Sequence, residues 1–242
     1  MPSRTLRALR SGVVGALSLL AAGCDGVSSD HETGPKPCPE IEEGRAPSGS
    51  GSIALVAKRR QGGEVVVIDA GTGKARQLTR QSTPHGQADA VAWSPDGTRV
   101  AYSGGTGGWN DGAYDDIWVM EATGGKPKRL TSSRQDDWNP EWSPDGRMIA
   151  FDRQDDGWNW VYVVNADGTD LRRLTPKSGW SPAWSPQGRI AYWATYGIWS
   201  MKPNGGDKQR LVEAELPAGP PGRLDWSPDG RLLAYTLGTG LW

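Results

Sequence analysis

Nearly one phrase occurs four times along this chain: Trp93-Ser94-Pro95-Asp96-Gly97, Trp142 to Gly146, Trp184 to Gly188 with Gln187 in place of the Asp, and Trp226 to Gly230. The tryptophans stand 49, 42 and 42 residues apart. A fixed period of roughly 40 to 50 residues is the length of one propeller blade. Such a unit cannot bury its own faces and must stack on a neighbour.

Each unit reads as four short strands. The first ends in the Trp, and Ser-Pro-Asp-Gly makes the turn, because Pro presets φ and Gly accepts a positive φ. The second strand is Arg99 to Tyr102, Met148 to Phe151, Arg189 to Tyr192 and Leu232 to Tyr235. The third is Ile117 to Met120, Val161 to Val164 and Ile198 to Met201, each followed by a Gly-bearing turn. The fourth is Lys128-Arg129-Leu130-Thr131, Arg172-Arg173-Leu174-Thr175 and Gln209-Arg210-Leu211-Val212. β-Branched and aromatic runs between turn residues, with no apolar stripe at helical spacing, predict an all-β chain.

The ends of the repeat array are irregular. Ile53 to Ala57, Val65 to Ala70 and Ala75 to Thr79 match strands two to four, with no Trp-Ser-Pro before them. Gly240-Leu241-Trp242 matches the beginning of a third strand. The expectation is a β-propeller of four-stranded antiparallel blades, about four to five in number, incomplete or C-terminally truncated. A partner completing the ring, or four blades closing with strands left over, are the alternatives. An open ring exposes a strand edge and an apolar blade face.

The repeat resembles that of TolB-type propellers: Trp142-Ser143-Pro144-Asp145-Gly146-Arg147-Met148-Ile149-Ala150-Phe151, then Val161-Tyr162-Val163-Val164-Asn165-Ala166-Asp167-Gly168, then Arg172-Arg173-Leu174-Thr175. The resemblance covers roughly residues 52 to 242. It implies a binding scaffold. It is specific for the fold and says little about function, since periplasmic TolB, peptidase propellers and surface proteins share the repeat.

Arg4, Arg7 and Arg10 precede a charge-free run from Ser11 to Gly23, whose end with the next residue reads Leu20-Ala21-Ala22-Gly23-Cys24. A positive start, a short apolar core and small residues before the cut describe a secretory signal, too short for a span that takes about 20 residues. It resembles a bacterial lipoprotein signal, with Ala21 where Leu is usual, and the resemblance implies that Cys24 becomes the lipidated first residue. An ordinary cleaved signal is the alternative. A diacylglyceryl group with an N-acyl chain supplies the two anchors that stable tethering needs. The expected organisation is a signal over 1–23, a linker over 24–51 rich in Pro, Ser and Gly, and a propeller over 52–242. The protein is then extracytoplasmic, in the periplasm or at the cell surface.

Composition narrows the chemistry. Twenty-seven basic and twenty-eight acidic residues give a net charge of −1, with no basic stripe, so nucleic-acid binding is not expected. Cys24 and Cys38 are the only cysteines; lipidation of Cys24 leaves Cys38 alone, and a Cys24–Cys38 disulfide would close only a small loop in the linker. His31 and His85 are the only histidines, neither near a second ligand, and no Asp-x-Asp-x-Asp-Gly calcium loop occurs, so no metal or cofactor is expected. The hydrolase domain of peptidase propellers carries a Gly-x-Ser-x-Gly elbow and a downstream His; both are missing from this sequence. The adjacent pairs Asp136-Asp137 and Asp155-Asp156 do not establish two carboxyls facing each other across a glycosidic bond. The expectation is a non-catalytic protein.

Thirteen tryptophans then need places. Trp93, Trp142, Trp184 and Trp226 recur at one position, where each can bury about 150–250 Å² between blades, at most about 4–6 kcal/mol apiece. Trp118 and Trp199 share the third-strand position and join the core. In a four-strand meander the Ser-Pro-Asp-Gly and Ala-Asp-Gly turns lie on one face, called the bottom here. The loops between strands two and three, and the links between blades, lie on the top. The top-face segments carry Trp109, Asn110, Asp136, Asp137, Trp138, Asn139, Asp155, Asp156, Trp158, Asn159 and Trp180. Rigid aromatic area beside amide and carboxylate oxygens makes these the candidate ligand-binding residues. The competing reading is that Asp, Asn and Gly serve the loops and each Trp covers its own hairpin.

The sequence therefore predicts a membrane-tethered propeller scaffold that binds an envelope protein or peptide. Its alternatives are a carbohydrate-binding propeller that uses the top-face Trp, Asp and Asn residues, and a fragment of a longer propeller protein or peptidase.

Overall fold

The computed structural model describes residues 51–59, 62–79, 87–105, 114–213, 222–237 and 240–241. The expected signal and all of the expected linker but Gly51, with Cys24 and Cys38, lie outside the described residues, as do His85, Trp109 and Asn110. Among the described residues all regular structure is β, in five antiparallel sheets. The first blade holds β1 (Ser52–Arg59), β2 (Gly62–Asp69) and β3 (Ala75–Gln77). The second holds β4 (Gln87–Trp93), β5 (Arg99–Gly105), β6 (Asp115–Glu121) and β7 (Lys128–Arg129). The third holds β8 (Asp137–Trp142), β9 (Met148–Asp155), β10 (Trp158–Asn165) and β11 (Arg172–Arg173). The fourth holds β12 (Trp180–Trp184), β13 (Ile190–Ala194), β14 (Gly197–Met201) and β15 (Gln209–Glu213). The fifth holds β16 (Leu224–Trp226), β17 (Leu233–Leu237) and β18 (Gly240–Leu241). Each sheet is a sequential meander, and β4, β8, β12 and β16 pack against one another along the inner side.

The turn phrase is built from its own side chains. In the third blade Met148 N donates to Ser143 Oγ at 2.9 Å, Ser143 Oγ donates to Asp145 Oδ1 at 2.6 Å, and Arg147 N donates to the same oxygen at 3.1 Å. Gly146 takes φ 69°, which a β-carbon would disfavour. The fifth blade repeats these bonds through Ser227 and Asp229. Where Gln187 replaces the Asp, its amide reaches the next blade instead and donates to the Asp229 carbonyl at 3.0 Å. The Thr that follows the fourth strand bonds within its own blade as well. Thr79, Thr131 and Thr175 each accept through Oγ1 from a third-strand N–H, those of Val65, Ile117 and Val161.

Burial lies between blades. Four apolar clusters straddle successive pairs of blades; one joins Ala92, Ala101 and Val119 of the second to Trp142, Ile149 and Phe151 of the third. The repeated Trp wedges against the preceding blade, as expected, but unequally. Trp142 is 3% and Trp184 8% exposed, whereas Trp93 and Trp226 are only part-buried. Trp93 faces a first blade whose described strands include no innermost one, so less material covers it. In all four, the indole Nε1 is buried with no hydrogen-bond partner among the described residues. The position selects Trp for its area, since an unpaired buried donor costs about 1–3 kcal/mol.

Several top-face segments expected as loops are strand. β9 and β10 run to Asp155 and Trp158, where Asp156 (φ 49°) and Gly157 (φ 79°) form a two-residue turn. Two residues of positive φ match the twist of the flanking strands, so the ladder continues to the hairpin tip. Asp137, Trp138 and Asn139 likewise belong to β8.

Candidate functional site

The top face is organised by the turns between strands two and three. In the third blade Asp155 pairs with Trp158 across the turn. In the fourth, Ala194 pairs with Gly197 around Thr195 and Tyr196, the latter at φ 67°. In the second, Tyr114 immediately precedes Asp115, which pairs with Gly105. Tyr114, Trp158 and Tyr196 are 41%, 56% and 67% exposed. Three consecutive blades thus carry an uncovered aromatic ring at this end of the sheet, Tyr114 and Trp158 in the same ladder column and Tyr196 in the turn of a hairpin two rungs shorter.

Around them the candidate residues divide into two groups. Asp155 accepts from Gln135 Nε2 at 3.1 Å, Asp156 is exposed, and Asp136 accepts from Asp115 N at 2.9 Å. Trp138, part-buried, donates through Nε1 to Asp115 at 3.2 Å and so ties the third blade to the second. Trp180 is part-buried against the cluster shared by the fourth and fifth blades. These residues, with Trp158, lie at or near the surface.

Asp137, Asn139 and Asn159 have structural partners beneath it. Arg153 grips Asp137 with two bonds, Nε at 2.6 Å and Nη2 at 2.8 Å, both side chains buried, and its guanidinium lies 4.8 Å from the Tyr162 ring. Burial pushes the Asp137 carboxyl above its ordinary range, and the Arg153 bonds oppose that shift. Asn139 and Asn159 donate to the two oxygens of buried Asp152 at 2.9 and 2.8 Å, and Ser181 N adds a third bond at 3.1 Å. Asn139 and Ser181 occupy the same bulge in successive blades, each at positive φ and followed by a Pro. Burial lifts Asp152 to about 6 despite these bonds.

Sequence reasoning did not single out Glu141, Tyr114, Tyr196 or Arg223. Glu141, Asn139, Ser181 and Arg223 line an inner void of about 20 Å³, room for about one water. Burial pushes Glu141 up to about 7, with Arg223 acting against the shift and Asp225 adding to it. Aligning the repeats by column would have singled out Glu141. It occupies the place before the repeated Trp, where other blades have Ala92, Ala183 and Asp225.

Antiparallel four-stranded sheets packed side by side through tryptophan wedges define a β-propeller. Residues 45–241 match the TolB beta propeller domain, and the chain belongs to that family. Among solved structures it is similar to a putative TolB from Agrobacterium tumefaciens, with 19% identity and a TM-score of 0.61 over 75% of this chain and 65% of that one. TolB from Acinetobacter baumannii gives 19% and 0.60 over 78% and 48%. An oligogalacturonate lyase in complex with manganese gives 13% and 0.59 over 76% and 56%. This chain therefore spans about two thirds and one half of the two TolB structures. No curated protein matches the sequence.

Proposed function

We propose that this protein is a membrane-tethered, extracytoplasmic propeller that works by binding an envelope protein or peptide, not by chemistry. The observation that carries this reading is the set of exposed rings, Tyr114, Trp158 and Tyr196, at the strand-two-to-strand-three end of three successive blades. Water-exposed Trp and Tyr offer rigid apolar area with a polar tip, the composition of interface hot spots. Asp155 and Asp156 beside Trp158 favour a partner segment with Lys or Arg near its apolar residues. Asp137, Asn139 and Asn159 hold the strands that present this surface. The tether rests on the signal-like residues 4–24 and on Cys24.

Photo-crosslinking in cells from position 158 or 196 tests the surface, with the exposed Leu171 on the turn-bearing face as control. A discrete protein adduct from 158 and 196 but not 171, lost in Trp158→Ala/Tyr196→Ala, is the expected result. No adduct, or the same adduct from all three positions, would sink the reading. In the same cells Cys24→Ser should release the protein from the membrane fraction. Carbohydrate binding is the second reading, favoured by the likeness to a lyase named for an oligosaccharide. Glycan-array signals that Trp158→Ala abolishes would favour it.

A further inference from the structure

We propose that the cleft between the second and third blades, on the turn-bearing face, binds a small multivalent anion carrying phosphate or carboxylate groups. The cleft encloses about 650 Å³, within the roughly 300–1,000 Å³ of small-molecule sites. Its charged lining is Arg99, Glu121, Lys126 and Lys128 from the second blade, with Arg147 and Asp167 from the third. Four cations meet two carboxylates there.

The cations outnumber the carboxylates, of which Asp167 feels the charge of Lys128. Asp167 Oδ1 is taken by Thr169 N at 2.9 Å and Thr169 Oγ1 at 2.6 Å, so it serves its own turn. Among the described residues Arg99, Lys126, Arg147 and Glu121 form no salt bridge. Two of the cations are nevertheless held in place. The Arg99 guanidinium lies 4.7 Å from the centre of the buried Trp142 ring, and Lys128 Nζ donates to the Asp167 carbonyl at 2.7 Å across the blade junction. A stacked guanidinium keeps its planar edge for bidentate bonds to an oxyanion.

The repeat supplies an internal comparison. At the next junction Met148 stands where Arg99 does, and each donates its backbone N–H to the turn Ser of its own blade. Asp170 stands where Lys126 does, and it pairs with Arg172 at 3.1 Å. Arg189, the turn arginine of the fourth blade, pairs with Asp207 at 2.8 Å. The next junction thus ties Arg172, Arg189 and Lys202 to Asp170 and Asp207, whereas this one leaves Arg99, Lys126 and Arg147 outside any salt bridge among the described residues. Mutual repulsion opposes gathering these cations.

Isothermal titration of the intact protein with pyrophosphate and, separately, with citrate tests the site. Saturable one-to-one binding of at least one probe is expected. Pyrophosphate alone would assign a phosphate ligand, citrate alone a carboxylate, and both the shared chemistry. Lys126→Gln/Arg147→Gln, whose side chains cover no core, should weaken binding about a hundredfold, at about tenfold per lost charged contact. Lys177→Gln, an exposed cation outside the cleft, should leave it unchanged, and thermal unfolding of both variants should match the parent. Failure of both probes to bind, or equal losses in the cleft and control variants, would overturn the proposal.

Discussion

Trp142→Ala removes the most buried of the four repeated wedges, and its cost can be worked from the packing. The side chain is 3% exposed between Ala92, Ala101 and Val119 of one blade and Ile149 and Phe151 of the next. Truncating a buried Trp costs about 3–5 kcal/mol, and the lost stacking of Arg99 adds about 0.5–1 kcal/mol. With a urea dependence of about 2 kcal/mol/M, the unfolding midpoint followed by far-UV circular dichroism should fall by about 2 M. Trp142→Phe provides the discriminating comparison. It keeps an aromatic wedge and deletes an indole N–H that has no partner among the described residues, so its cost should stay within about 1 kcal/mol. An Ala variant shifted by less than about 0.5 M, or a Phe variant as damaged as the Ala variant, would refute the claim that buried area between blades holds the array together.

Two further outcomes follow from buried carboxylates. Stability should peak near pH 4–5, because Asp152 and Asp116 are raised to about 6 and Glu141 to about 7, all mainly by burial. Raised groups stabilise fully below their unfolded values and lose that contribution as pH climbs through 6 to 7, about 3 kcal/mol at most for Asp152. On the acid side, Asp96 is held down to about 2 by the Ser94 hydroxyl and Thr98, so its contribution fades as pH falls from 4 toward 2. Midpoints that rise steadily from pH 5 to 7 would contradict this, and Asp152→Asn should flatten that limb. Arg153→Met should cost about 3–5 kcal/mol in urea unfolding by leaving Asp137 buried and unpaired, and adding Asp137→Asn should restore most of the loss.

Much of the blade was legible because its bonds are local. Ser143, Asp145, Gly146 and Met148 lie within six residues and make one turn, so the phrase carries its structure with it. The candidate site was less legible because an exposed Asp and a buried one look alike in sequence. Asp136-Asp137 and Asp155-Asp156 read as two acidic pairs, yet Asp137 is locked to Arg153, 16 residues away, while Asp156 stands in solvent on a turn. Asn139 and Asn159 likewise meet only at Asp152, a residue that neither adjoins.

By itself the sequence determined the repeat, the strand order within a blade and the turn chemistry, since contacts a few residues apart set each of them. Only the tertiary structure decided which tryptophans are covered, which carboxylates are buried, and which cations share a cleft. Those properties depend on the neighbouring blade, about 40 to 50 residues along the chain, and no local pattern specifies what that blade will bring to the junction.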